Sequence, residues 1–250
     1  GLTEFLPVSS SAHLIIVQHF FGLKGSILLV FDVVVHMGTL LALFVYFAND
    51  FFPVPKLGAR LFWLIAVASI PTAIIGFMLN DWMAQSFDTL WVTSVTLLIN
   101  SLILWSTRWI PFLAADKNGL PVSNPEDLSL LKAFWIGTAQ GISVLPGISR
   151  SGATVAGALW LKIKPEEAVR FSFFIGIPAI LGASILILPE GLAAISSDMW
   201  PAMIVGFVTA FLSGYAAIVL LFKIVLKGKF HDFAFYTFAL AVVSFLFSRS

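Results

Sequence analysis

The chain has 250 residues, of which 59% are hydrophobic and 11% are charged, and its mean hydropathy is +1.00. Soluble domains carry about 25% charged residues, so this composition indicates an integral membrane protein. The formal net charge of +1 argues against nucleic acid as a partner, and the absence of cysteine excludes disulfides and thiolate metal sites.

The first segment is predicted to be a re-entrant hairpin of two short helices. The stretch GLTEFLPVSSSAH at 1–13 is apolar but interrupted by Glu4, Pro7 and three serines, and residues 14–21 are apolar again. Neither half reaches the ~20 residues needed to cross a bilayer. Such a segment enters and leaves by the same face, and protein or a water-filled cavity must cover it.

Six later segments are long enough to span a membrane: 27–49, 61–80, 89–110, 168–188, 200–222 and 232–248. The first carries Asp32 and His36, which are four residues apart and so share a helical face. These two residues either contact and orient the residues of a functional site, or form a polar contact between helices or a pair at the level of the lipid headgroups; we favour the contact between helices or the headgroup pair. Pro71 and Pro178 lie inside spans and predict kinks.

A second broken segment follows the one clearly aqueous connection, residues 111–130. Residues 132–161 repeat the short–break–short pattern, with VLPGISRSGAT at 144–154 in the centre. This stretch holds Arg150, and an ionisable residue at membrane depth is a functional-site hypothesis by default. The alternative is a proline-kinked helix whose arginine extends to the lipid headgroups.

The two halves resemble each other in motif, spacing and hydropathy. Pro7 matches Pro146, and Ser10 matches Ser149, after a one-residue gap. We therefore predict a single membrane domain, 1–250, with repeat one at about 1–110 and repeat two at about 131–250.

Loop charge predicts the orientation of the two repeats. Basic residues occur in or beside the loops at 50–60, 111–130, 162–170 and 223–229, whereas 81–88 and 189–199 contain no Lys or Arg. Placing the basic loops in the cytoplasm makes every crossing alternate. The predicted fold class is an all-α membrane protein, an inverted-topology repeat with about six transmembrane helices and two re-entrant helix–loop–helix hairpins. Such repeats place a polar site near the midplane.

Residues that can carry chemistry occur at both breaks. The first break offers a carboxylate, hydroxyls and an imidazole, and the second offers a cation flanked by hydroxyls: Glu4, Ser9, Ser10, Ser11 and His13, then Ser149, Arg150, Ser151 and Thr154. Freed backbone N–H groups at helix N-termini bind anions, and a serine-flanked arginine suits a buried phosphate. Ser10 and His13 are three residues apart, on one face of a helical turn, which suits a nucleophile and its base.

At these residues the chain resembles the bacterial undecaprenyl-pyrophosphate phosphatase family of the bacitracin-resistance type. The resemblance is carried by GLTEFLPVSSSAH at 1–13, LPGISRSGAT at 145–154 and FSFFIGIPAILGA at 171–183, and it extends in order along nearly the whole chain. The family pattern has a second acidic residue, usually Glu, just before the glycine matched by Gly1. We therefore expect further residues to precede Gly1.

The resemblance implies a specific activity in a specific place. Such enzymes hydrolyse a C55 isoprenoid pyrophosphate to the monophosphate and inorganic phosphate, which regenerates the lipid carrier for peptidoglycan synthesis. The implied location is the bacterial cytoplasmic membrane, with the site open to the outer face. The expected partners are undecaprenyl pyrophosphate and membrane lipid, with no nucleic acid, and a homodimer is left open.

The resemblance also assigns roles. The active-site residues of the family match Glu4, Ser10, His13 and Arg150, and the residues expected to bind phosphate are Ser9, Ser149, Arg150, Ser151 and Thr154. Ser10 is interpreted as the nucleophile and His13 as its activator, with His13 itself as the alternative nucleophile. Glu4 and its acidic partner before Gly1 are expected to hold Mg²⁺ or Ca²⁺ through oxygen ligands.

A transporter or flippase of an anionic lipid phosphate is the rival interpretation. Inverted repeats with broken helices also build carriers, in which a buried arginine binds an anionic substrate without chemistry. The grouping of Glu4, Ser10 and His13 exceeds what binding alone requires, and so it favours an enzyme.

Overall fold

The computed structural model describes residues 1–22, 26–51, 58–86, 89–110, 128–192 and 199–248. Regular structure is helical throughout these residues, which confirms the predicted all-α class. In chain order the helices are α1 (Leu2–Phe5), α2 (Ser10–Phe21), α3 (Ser26–Tyr46), α4 (Ala48–Phe51), α5 (Ala59–Ser86), α6 (Leu90–Ser106), α7 (Leu130–Ile142), α8 (Arg150–Trp160), α9 (Pro165–Leu192), α10 (Trp200–Leu226) and α11 (Phe233–Phe247). Short 3₁₀ turns follow α6 and precede α11.

Five of the described helices are long and apolar enough to cross a membrane, and they correspond to five of the six predicted spans. The stretches are Ala59–Leu79, Leu90–Trp109, Pro165–Leu186, Trp200–Leu226 and Phe230–Phe247. The remaining predicted span is α3, whose described apolar stretch is Val30–Tyr46. Side chains such as Phe77, 86% exposed, face outward from the protein, as lipid-facing residues do. The chain is a multi-pass membrane protein.

Two predicted loops are partly helical. α5 continues through Ser86 and α9 through Leu192, so residues 81–86 and 189–192 are helical rather than loop. Most of the predicted aqueous connection, residues 111–127, lies outside the described residues, as do 52–57, 87–88 and 193–198.

Two pairs of short helices form the predicted hairpins. Residues 6–9 separate α1 from α2, and residues 143–149 separate α7 from α8. None of these four helices exceeds 13 residues, which is too short to cross a bilayer. Each of these helices therefore fits the prediction of a hairpin that enters the membrane domain without crossing it.

A serine caps the second helix of each hairpin. Ser9 Oγ accepts a hydrogen bond from the Ala12 N–H at 3.3 Å, and Ser149 Oγ accepts one from the Gly152 N–H at 3.1 Å. The structural counterpart of Ser149 is therefore Ser9, and the predicted match with Ser10 was wrong by one residue. Ser10 and Arg150 consequently occupy the same position, the first residue of the second helix in each hairpin.

The helices pack in reciprocal pairs. α1 contacts α10 and α7 contacts α5, while α3 contacts α10 and α9 contacts α5. α3 also contacts α9, and α6 contacts α11. Exchanging α1 with α7, α3 with α9, α5 with α10 and α6 with α11 converts this set of contacts into itself, as expected for an inverted repeat. The boundaries of the two repeats stay a prediction.

Aromatic packing fixes the first hairpin in the core. Phe5, 1% exposed, packs edge-to-face on Phe173 of α9 with 5.2 Å between ring centroids. Phe47, just after α3, contacts the rings of Phe173 and Phe174. A four-residue helix such as α1 has no stability of its own, because helix nucleation is unfavourable. The position of Glu4, the residue before Phe5, is therefore set by this tertiary packing.

Candidate active site

Glu4 is the centre of a polar cluster between the two hairpins, and its side chain is 9% exposed. Oε2 accepts a hydrogen bond from the Ser10 hydroxyl at 2.7 Å, and Oε1 accepts one from Arg150 Nη2 at 2.7 Å. A buried carboxylate requires such partners, because an uncompensated charge is costly away from water. The structure thus brings Ser10 and Arg150, one from each hairpin, together on one carboxylate.

Arg150 is held at two points rather than extending to the headgroups. Besides its contact with Glu4, Nη1 donates to the Gly176 carbonyl at 3.0 Å. A Cβ at Gly176 would come 2.9 Å from Nη1, so the absent side chain leaves room for the guanidinium. A guanidinium has five N–H donors. The side chain is 18% exposed, and donors remain for an anion that reaches it.

His36 also belongs to the cluster: it makes the polar contact between helices that the sequence favoured, and the residue that it contacts is Glu4 of the candidate site. Its Nε2 lies 3.3 Å from Glu4 Oε2, and its Nδ1 lies 2.6 Å from the Asp32 carbonyl oxygen. The carbonyl can only accept, so Nδ1 carries a hydrogen. α3 therefore supplies the third group around the carboxylate, through the side chain of His36 and the backbone of Asp32.

The backbone before Ser10 is strained. Ser9 has φ +64°, in the left-handed region that non-glycine residues rarely adopt. Its side chain caps α2, and its carbonyl oxygen lies 2.7 Å from His13 Nδ1. Strained backbone of this kind persists only where the surroundings hold it, and it often occurs at active sites. Here it turns the first residue of α2, Ser10, toward Glu4.

His13 contacts the backbone beside Ser10 rather than the Ser10 hydroxyl. Nδ1 faces the Ser9 carbonyl, so Nδ1 donates, and Nε2 accepts from the Tyr236 hydroxyl at 2.7 Å. The two rings are also stacked, with centroids 5.8 Å apart. Both ring nitrogens of His13 are therefore engaged away from Glu4 and Ser10, and its link to the candidate nucleophile runs through Ser9.

The hydroxyls predicted to bind phosphate are buried and bonded within the protein. Ser149 Oγ caps α8 and lies 3.1 Å from Ser151 Oγ. Thr154 Oγ1 donates to the Arg150 carbonyl at 2.7 Å and contacts Ser172 Oγ. Ser9 is likewise 2% exposed and serves as a cap. These hydroxyls shape the two breaks, and Arg150 is the side chain that the second break directs at Glu4.

Residues of α6 join the two breaks. Asn100 is fully buried; its Oδ1 accepts from the Ser149 N–H at 3.0 Å and its Nδ2 donates to the Pro7 carbonyl at 3.2 Å. Thr96 Oγ1 donates to the Pro146 carbonyl. Sequence reasoning missed both residues. An asparagine in the middle of a predicted span was the available signal, since a polar amide in lipid needs partners.

The described residues do not by themselves form a metal site. They contain no group of three or more His, Cys, Asp or Glu side chains arranged to hold an ion. Both oxygens of Glu4 are already engaged, and two of the partners, Arg150 and His36, are nitrogen donors rather than metal ligands in this arrangement. The acidic partner that the family resemblance implies would precede Gly1. The Mg²⁺ or Ca²⁺ expectation is therefore unsupported by these residues alone.

An apolar cavity of about 510 Å³ adjoins the first hairpin. It lies between α1 with its break and the adjoining ends of α10 and α11, and its walls are Leu2, Thr3, Leu6, Val8, Ile224, Lys229, Asp232, Phe233 and Tyr236. Tyr236 both faces this cavity and bonds His13. An apolar cavity with a few polar groups beside a polar cluster is a common form of ligand site.

A family model and curated relatives match this protein over nearly its whole length. Residues 1–243 match a family model described as bacitracin resistance protein BacA. The chain is 41% identical over 249 residues to the undecaprenyl-diphosphatase of Carboxydothermus hydrogenoformans, covering 97% of this chain and 91% of that protein. It is 42% identical over 265 residues to the undecaprenyl-diphosphatase of Desulfosudis oleivorans, with 98% and 93% covered. These alignments span nearly the whole of both proteins, so they include both hairpins.

Proposed function

The chain belongs to the bacitracin resistance protein BacA family, and we propose on this premise that it hydrolyses undecaprenyl pyrophosphate to undecaprenyl phosphate and inorganic phosphate. The protein is an integral membrane phosphatase. The observation that carries the proposal is the Ser10 hydroxyl, hydrogen-bonded to a buried carboxylate that also holds Arg150. The carrier interpretation has no support from the relatives, which are named as diphosphatases.

Ser10 is the proposed nucleophile and Glu4 its base. As Ser10 Oγ attacks the terminal phosphorus, its proton passes to Glu4 Oε2, 2.7 Å away. The bond between that phosphorus and the bridging oxygen breaks, and undecaprenyl phosphate leaves with the bridging oxygen. Water then attacks the phosphoserine, the bond between phosphorus and Ser10 Oγ breaks, Glu4 returns its proton to Ser10 Oγ, and inorganic phosphate leaves. Glu4 takes the role that the sequence suggested for His13, because both nitrogens of the His13 ring are engaged elsewhere.

Arg150 is proposed to bind the terminal phosphate. Phosphoryl transfer depends mainly on positioning and on neutralising charge. Ser10 and Arg150 are each the first residue of a helix, and both side chains bond Glu4, so the N-termini of α2 and α8 lie on either side of the proposed phosphate site. Free N–H groups and the helix dipole favour negative charge at such ends. Nucleophile and clamp thus come from equivalent positions of the two hairpins.

We further propose that the active site opens to the outer face of the bacterial cytoplasmic membrane, where the product returns to peptidoglycan synthesis. The homodimer is kept as a prediction, which light scattering of the detergent-solubilised protein would check.

The test is phosphate release from undecaprenyl pyrophosphate by the purified full-length protein. We expect release by the unaltered protein and none above background by Ser10→Ala. Ser69→Ala is the matched control, because that hydroxyl donates to the Ile65 carbonyl of its own helix, and its rate should be unchanged. Full turnover by Ser10→Ala would show that Ser10 is not the nucleophile. Absence of phosphate release by the unaltered protein would overturn the proposed phosphatase activity.

The divalent cation is tested in the same assay. If Mg²⁺ or Ca²⁺ is required, with Glu4, the implied acidic partner before Gly1 and pyrophosphate oxygens as ligands, EDTA should abolish release and added cation should restore it. Turnover at the full rate in EDTA would remove the cation from the proposal. The assignments of Ser10 and Arg150 would stand in either case, because they do not depend on the ion.

A further inference from the structure

Three groups share the two oxygens of Glu4. Arg150 Nη2 donates a hydrogen bond to Oε1 at 2.7 Å. Ser10 Oγ donates to Oε2 at 2.7 Å, and His36 Nε2 lies 3.3 Å from the same Oε2. The carboxylate is 9% exposed, so water does little to stabilise its charge. The geometry of Glu4 is therefore decided by these three side chains.

Arg150 cannot give the same N–H groups to Glu4 and to a phosphate. Nη1 donates a hydrogen bond to the Gly176 carbonyl, and Nη2 donates one to Glu4. A phosphate that binds the remaining donors of Arg150 competes with Glu4 for the same guanidinium, and the hold of Arg150 on Glu4 weakens while the carboxylate remains buried. A buried carboxylate without a partner is strongly unfavourable. A second group that stays on Glu4 therefore keeps it in place as the substrate binds.

His36 is fixed in the orientation that this role requires. Its Nδ1–H donates to the Asp32 carbonyl at 2.6 Å, four residues earlier in α3, which sets the ring plane and leaves Nε2 directed at Glu4. Nε2 faces Oε2, the oxygen that also accepts from Ser10, and not Oε1, the oxygen that faces Arg150. His36 can therefore stay on Glu4 while Arg150 leaves it.

We propose that His36 is a positioning residue: as an imidazolium, with a hydrogen on each ring nitrogen, it donates through Nε2–H to Glu4 Oε2 and holds that oxygen against the Ser10 hydroxyl while Arg150 binds the substrate phosphate. The inference rests on the proposed function, since it assigns His36 a part in the same reaction. His36 touches Glu4 Oε2, the proposed proton acceptor, and contacts neither the attacking oxygen of Ser10 nor the substrate. Its contribution is the N–H group at that position, which an amide side chain can also supply.

The test compares two substitutions at His36 in the phosphate-release assay. His36→Leu keeps an apolar body but has no N–H donor, and we expect kcat to fall about tenfold to a hundredfold, as for a misplaced catalytic group. His36→Gln restores an N–H donor at similar reach, and its kcat should return to within about fivefold of the unaltered protein. A residue needed only to fill space would show no such rescue.

The matched controls are His19→Leu and His19→Gln. His19 is an exposed histidine of α2 whose ring contacts Phe20 and not the Glu4 cluster, so both rates should be unchanged. Thermal unfolding of each variant in detergent identifies any loss of folding. If His36→Leu does not fold, His36→Met provides a second side chain without an N–H group.

Two results would overturn the inference: an unchanged rate for the donor-less variants, or His36→Gln as slow as His36→Leu. Failure of the proposed function looks different. It appears as no phosphate release from the unaltered protein, or as full turnover by Ser10→Ala, and neither involves His36. The two hypotheses can therefore fail independently.

Discussion

Glu4 and Arg150 are 146 residues apart in the chain, and their side chains meet with 2.7 Å between Oε1 and Nη2. Each comes from the broken hairpin of a different half. The carboxylate that accepts from Ser10 and the guanidinium proposed to bind phosphate are therefore in place only when the two halves have packed together. Activity and correct assembly of the halves should be lost together.

Replacing Arg150 by lysine tests whether the two separate hydrogen bonds of the guanidinium, to Glu4 and to the Gly176 carbonyl, matter for catalysis. Lysine keeps the charge but has one nitrogen, so it cannot contact the Gly176 carbonyl and an anion with separate, fixed donors. We expect turnover to fall about a hundredfold, which corresponds to roughly 3 kcal/mol of lost transition-state stabilisation. Phosphate release under saturating lipid measures it. A lysine variant as fast as the unaltered protein would show that charge alone suffices.

Replacing Asn100 by leucine tests the connection between the breaks. The Ser149 N–H and the Pro7 carbonyl would lose their partners, and a buried unsatisfied group costs about 1–3 kcal/mol. We expect a lower midpoint of thermal unfolding in detergent and slower phosphate release. The control is Ser101→Ala, whose hydroxyl donates to the Leu98 carbonyl of its own helix. Equal unfolding midpoints for the two variants would contradict this account.

Tyr236 and His13 distinguish two roles for the histidine. If His13 acts by holding the Ser9 carbonyl, Tyr236→Phe should slow turnover by roughly tenfold, because the ring loses one of its two fixed contacts, and His13→Ala should slow it further. Tyr215→Phe serves as the control, since Tyr215 packs on Tyr46. If His13 is instead the base, His13→Ala should abolish turnover while Tyr236→Phe leaves it unchanged.

Replacing a glycine by alanine should lower the stability of the protein at Gly137 but not at Gly182. At Gly137 in α7, a Cβ would come 1.9 Å from the Ala68 carbonyl oxygen of α5, so Gly137→Ala should destabilise the protein by about 1–3 kcal/mol. At Gly182 in α9, a Cβ would meet nothing within 4 Å, so Gly182→Ala should be neutral or stabilising by up to about 1 kcal/mol. Thermal unfolding in detergent compares them. The same loss at both positions would contradict the close packing of α5 and α7.

Single cysteines test the orientation, because the sequence has no other thiol. Lys56→Cys and Asp88→Cys lie in segments outside the described residues, and loop charge predicts that they face the cytoplasm and the exterior respectively. An impermeant thiol reagent added to intact cells should label Asp88→Cys and not Lys56→Cys. Labelling of both from one side would overturn the predicted topology.

Local sequence properties determined the elements of this protein. Hydropathy over about 20 residues identified five helices that the structure confirms as long and apolar enough to span, together with α3. Proline, glycine and serine at 6–9 and 143–149 identified both hairpins, since these residues interrupt helices and cap new ones. Helix ends were less predictable, because an apolar helix continues past its hydrophobic stretch, as α5 does through Ser86.

The tertiary structure decided which side chains meet at the site. In the sequence, His13 is three residues from Ser10 and His36 is 26 residues away, so proximity favoured His13 as its partner. The packing of α3 beside the first hairpin instead brings His36 to Glu4, while α2 turns His13 toward Tyr236 of α11. Asn100 joins the two breaks for the same reason. Spacing along one helix predicts which residues share a face, whereas contacts between helices depend on packing that no local pattern encodes.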